Sequence, residues 1–132
     1  MAVSEVDQTQ AERPFVFFLF KGITGIYEAW DEGSYEVALR RALRLTVFLP
    51  SDIKEALKED KEEVLRELNK AYRISGVDFF TTHQVRNRAA RRVSVYYLEP
   101  YVDEMIRLLD EKQWLERGAL RPQFKQERRL RT

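Results

Sequence analysis

The residues most able to do chemistry in this chain are cations. Arg86, Arg88, Arg91 and Arg92 fall within seven residues, and Lys61, Arg66, Lys70 and Arg73 recur with Asn69 in the stretch before them. A guanidinium presents a planar fork of donors that matches phosphate and carboxylate oxygens. Arginine outnumbers lysine here by sixteen to seven. These residues point to binding of an anion rather than to bond making. Other reactive types are sparse or unsuitably spaced. His83 is the only histidine, and with no cysteine to join it an ordinary zinc site cannot be built. Carboxylates are plentiful, but pairs such as Glu59 and Glu63 sit one helical turn apart among lysines, as on a solvated helix face. No glycine-rich phosphate loop, nucleophile elbow or paired-histidine zinc motif occurs. The expectation is a binding protein with no catalytic residue, no metal and no cofactor.

Charge is unevenly spread. Residues 1–80 hold eleven Lys and Arg against fifteen Asp and Glu, whereas residues 81–132 hold twelve against seven. An anionic partner is therefore expected for the second half. The length of 132 residues suits one domain, and a 44% hydrophobic content can supply its core. The lack of cysteine excludes disulfides and fits a reducing cytoplasm; with many Glu and Arg it also fits a thermophile. No run approaches 18 apolar residues, so no membrane partner is expected. Residues 15–20 (FVFFLF) are followed at once by Lys21 and are expected in the core.

These groups need elements to hold them. Residues 1–13 read as a flexible N-terminus, 14–118 as a single domain, and 119–132 as a basic flexible tail. Residues 15–30 favour helix over strand, although Gly22 and Gly25 weaken it. Ser34 can cap a helix running to about Leu49, and Pro50 stops it. Ser51 or Asp52 can cap a helical stretch to residue 73, and Gly76 is placed to end it. Residues 77–83 favour strand, 84–91 a basic loop, and 92–98 (RVSVYYL) give the strongest strand signal in the chain. Pro100 suits the first turn of a last helix.

The middle third has the spacing of a helix-turn-helix. Ile53 and Leu57 stand four apart, and Val64, Leu68 and Ala71 follow at intervals that would lock a second helix onto the first. Asp60 and Glu63 form a D-x-x-E capping box where that second helix would begin. One uninterrupted helix over residues 51–73 is the plain alternative. With the basic pair Arg91-Arg92 leading into a Val/Tyr-rich strand that ends in Leu98, residues 36–116 resemble the winged-helix transcription regulators of the MarR and ArsR type.

That resemblance implies a mainly α fold with a small β-hairpin, a winged helix-turn-helix between N-terminal and C-terminal helices. It implies double-stranded DNA as partner, with Lys61, Arg66, Asn69, Lys70 and Arg73 on the helix entering the major groove and Arg86, Arg88, Arg91 and Arg92 on the wing. It further implies a homodimer held by Val102, Met105, Ile106 and Leu109 of the C-terminal helix. Two other readings stay open: a helical coat-type protein that packages nucleic acid without reading sequence, and a winged helix used as a protein-interaction module. Glu62, Glu63 and Glu67 on the supposed reading helix would be unremarkable in the last of these.

Overall fold

Every regular element among the described residues is helical. The computed structural model describes residues 2–114, with side chains from Phe15 onward. The helices are α1 (Ala2–Asp31), α2 (Tyr35–Val47), α3 (Ser51–Ala56), α4 (Lys58–Ile74), α5 (His83–Val93) and α6 (Glu99–Glu111). A π-helical turn, Ser94–Leu98, joins α5 to α6 without a break.

α1 and α2 form a close hairpin. Leu19, Ile23, Ile26, Tyr27 and Trp30 recur at helical spacing on α1, and all are buried. Of the two glycines that weaken this helix, Gly22 allows the approach. A Cβ on Gly22 would lie 2.8 Å from a Leu45 methyl, and the Gly25 carbonyl accepts a 2.6 Å hydrogen bond from Arg41 Nη1. Gly33, at φ +78°, ends α1. The Gly33 N–H bonds to Trp30 O and the Ser34 N–H to Ala29 O, which is a Schellman turn. Ser34 occupies the N-cap of α2 as expected, but its side chain makes no capping bond. An oxygen from α5 takes over instead: Asn87 Oδ1 accepts from the Glu36 N–H at 3.2 Å.

Pro50 is the N-cap of α3, so Ser51 and Asp52, expected to cap it, lie within its first turn instead; the α3–α4 break falls at Leu57, which is fully buried with φ −93° and ψ 0°. Asp60, expected to cap the second helix, lies within the first turn of α4. The apolar spacing that suggested a helix-turn-helix is a packing pattern: Ile53, Leu57 and Val64 are buried, and Leu68 and Ala71 pack against the core. Gly76 ends α4 as expected, in a second Schellman turn at φ +69°.

The wing is absent, and this overturns the winged-helix expectation. Residues 77–82 form an irregular loop, the expected basic loop is α5, and residues 92–98 continue the helix. β-branched and aromatic residues fit strands mainly because they fit half-buried surfaces. Here Val93, Val95 and Leu98 bury against the helical core, so packing decides the backbone. Pro100 does open α6, and it accounts for the π turn before it. It has no N–H to offer the Tyr96 carbonyl four residues back, and its ring crowds that carbonyl; the widened turn over 94–98 relieves both.

Two further expectations change. Val102, Met105 and Leu109 are fully buried in the chain's own core and Ile106 packs against it, so this face of α6 cannot hold a second subunit. Within residues 15–20 only Leu19 is fully buried, while Phe17, Phe18 and Phe20 are exposed. No described helix is long and apolar enough to cross a membrane. α1 also takes in most of the N-terminal segment expected to be flexible, and the basic tail at 119–132 lies outside the described residues.

Candidate functional site

A groove runs between α4 and the continuous helix formed by α5, the π turn and α6. Its larger part is a recess of about 820 Å3, whose walls include Glu67, Lys70 and Ile74 from α4 and Arg88, Arg92, Tyr96 and Tyr97 from the opposite side, so that three cations share it with one carboxylate. Tyr96 and Tyr97 also line a neighbouring recess of about 350 Å3, which ends on Asp60, Glu63 and Glu104. The groove is therefore cationic at one end, acidic at the other, and aromatic between.

Local sequence explains the acidic end. Glu59 and Asp60 occupy the first turn of α4 and Arg73 its last, which is the arrangement the helix dipole favours. The acidic end needs no ligand to account for it. The basic end has no such account. α5 carries Arg86, Arg88, Arg91 and Arg92 and no carboxylate in eleven residues. Arg88 and Arg92 stand one turn apart on the same face, where like charges cost a few tenths of a kcal/mol. Among the described residues, Lys70, Arg88 and Arg92 have no ion pair. Tyr96, four residues after Arg92, continues the same stripe and is 60% exposed.

The other expected site residues are scattered. Arg66 and Asn69 are exposed on α4 but do not line the groove, Arg73 is exposed at its C-terminal end, and Lys61 is half-buried in its first turn. Arg86 is committed to structure: Nη2 donates to Asp78 O at 2.5 Å and Nε to Thr81 O at 3.4 Å. The Arg91 guanidinium lies 5.9 Å from the centre of the Tyr35 ring. Lys70, Arg88 and Arg92 thus come together, whereas Arg66, Asn69 and Arg86 do not join them. Tyr96 and Tyr97 were missed because their segment read as a strand. The available signal was the i, i+4, i+8 spacing of Arg88, Arg92 and Tyr96, a helical stripe.

No protein-family model, curated protein or solved structure matches this chain. The site must therefore be read from its own chemistry. No group of three or more His, Asp or Glu that could hold a metal occurs among the described residues. Two described carboxylates are strongly buried, Glu99 and Glu36, and Glu36 is bonded to α4, one wall of the groove. Glu36 accepts from Tyr72 Oη at 2.5 Å and from Arg40 Nη2 at 3.2 Å, which ties α4 to α2. Burial, then this hydrogen bond, pushes the Tyr72 hydroxyl well above the usual tyrosine range. A tyrosine held neutral as a donor to a paired carboxylate steadies the wall of the groove and is not placed to move a proton to a ligand.

Proposed function

We propose that this chain is a nucleic-acid-binding protein that takes a single strand in the basic part of the groove between α4 and α5. The observation that carries the reading is the convergence of three cations, Lys70, Arg88 and Arg92, that form no ion pair among the described residues, with Tyr96 and Tyr97 on one concave surface. Glu67 offsets one of the three charges in this recess; backbone phosphates supply the remaining counter-charge, and bases supply flat faces for the tyrosines. A helix that reads duplex DNA projects into a groove about 12 Å wide. Here the paired arginines face a recess between two helices, which suits one strand better than two. Base identity is not read by Arg66 and Asn69 in this account, so binding is tolerant of sequence.

The acidic end of the groove favours a second reading, docking of a protein segment that is acidic where it meets Arg88 and Arg92 and basic where it meets Asp60 and Glu63. The two readings separate in a fluorescence-anisotropy titration. Labelled oligothymidine of about twelve nucleotides and the matching duplex are titrated with the full chain and with a truncation after Gly118. The single-strand reading expects tighter binding of the oligothymidine, retained on truncation and lost in Arg88→Ala/Arg92→Ala. Absence of binding, or binding that leaves with the tail, rejects it in favour of the protein-docking reading.

A further inference from the structure

The loop between α4 and α5 displays two phenylalanines that the groove alone does not explain. Phe79 and Phe80 are each 88% exposed, the most exposed of the chain's large described apolar side chains. Their backbone is nevertheless tightly tied. Asp78 Oδ1 accepts from the Phe80 N–H at 2.9 Å and from Thr81 Oγ1 at 2.9 Å, while Thr81 Oγ1 also meets the Asp78 N–H at 2.7 Å. These bonds hold the Asp78 carboxyl below the usual range, so the turn stays capped at neutral pH. Arg86 clamps the loop to α5 through the Asp78 and Thr81 carbonyls. Gly76 sets its entry with a left-handed φ of +69°. The loop lies beside the basic recess: Ile74 and Val85, which flank it in sequence, both line that recess.

We infer that Phe79 and Phe80 form a base-stacking finger that continues the strand-binding surface beyond the groove. The inference rests on the single-strand reading of Lys70, Arg88 and Arg92. The two rings stand 5.4 Å apart at 86° to each other. Perpendicular rings cannot both join one continuous base stack. They suit a strand whose successive bases turn apart, which a single strand permits and a duplex does not. The neighbouring cations fit the same ligand by charge. The bonds that hold the loop fix the backbone that carries the rings and leave the rings uncovered.

The test compares two anionic chains of equal length with the full protein: oligothymidine, and a phosphodiester chain lacking bases. Phe79→Ala/Phe80→Ala is expected to weaken oligothymidine binding by about tenfold or more, from the usual contribution of a base on an aromatic ring, and to leave the abasic chain unaffected. In Phe79→Trp, oligothymidine is expected to quench the new tryptophan and the abasic chain is not. Equal affinities of wild type and double variant for oligothymidine overturn the finger while leaving the groove reading in place. Loss of binding to phosphatidylglycerol vesicles, with oligothymidine affinity kept, assigns the loop to a lipid surface and also overturns it. If the wild type binds neither chain, the groove reading fails and the finger with it.

Discussion

Asn87 fastens the α1–α2 turn from 54 residues away: its Nδ2 donates to the Gly33 carbonyl at 2.7 Å. Its Oδ1 accepts from the Glu36 N–H, serving the first turn of α2 where Ser34 does not. One side chain therefore closes a helix end and locks α5, the helix bearing Arg88 and Arg92, onto the hairpin. Asn87→Ala is expected to cost about 1–2 kcal/mol, read as a lower urea midpoint. Asn87→Asp keeps the acceptor but loses the donor to Gly33, and should fall between the two. Equal midpoints for all three proteins would contradict this role.

The two glycines of α1 should behave in opposite ways. Glycine in a helix costs roughly 0.5–1 kcal/mol relative to alanine. At Gly25 a Cβ would meet nothing closer than Arg41 Nη1 at 3.7 Å, so Gly25→Ala is expected to gain about that amount. At Gly22 the same atom would press on both methyls of buried Leu45, at 2.8 and 3.1 Å. Gly22→Ala is expected to lose about 1 kcal/mol net. Thermal melts of the two variants check the difference in sign.

Much of the helical frame was legible in the sequence, and the reasons are local. Pro50 and Gly76 ended helices where expected because their backbone preferences leave little choice. Ile53, Leu57, Val64, Leu68 and Ala71 packed inward because their spacing was helical. Residues 92–98 misled because strand preference reports a half-buried surface, and this surface is buried on a helix. Residues 15–20 are apolar at every position, so no period could show that only Leu19 is fully buried. Of the site, the cations Lys70, Arg88 and Arg92 were legible. Their convergence was not, because it depends on α5 being helical and on the π turn that Pro100 imposes at Tyr96 and Tyr97.

Stability should fail on the alkaline side. Burial is the largest cause raising the hydroxyl pKa values of Tyr27, Tyr72 and Tyr101 above their ordinary value; the charge of Asp103 adds to it at Tyr27, as does the Glu36 hydrogen bond at Tyr72. A raised pKa means the folded state favours the neutral phenol. Its contribution is complete below the unfolded tyrosine value of about 10 and is lost as pH rises through the folded values. The urea midpoint is expected to fall steeply above about pH 10, in step with late tyrosinate absorbance. Tyr72→Phe removes one of the three titrations and should make that decline shallower. A midpoint that stays level into that range would contradict the assignment.

The most direct test of the groove is the salt dependence of oligothymidine binding by the wild type and by Lys70→Ala/Arg88→Ala/Arg92→Ala. Each phosphate contact on a single strand contributes about 0.7 to the slope of log affinity against log salt. Removal of three contacting cations should therefore lower that slope by about 2 and weaken binding most at low salt. An unchanged slope and affinity in the triple variant would contradict the account, because the strand would then be held somewhere other than between α4 and α5.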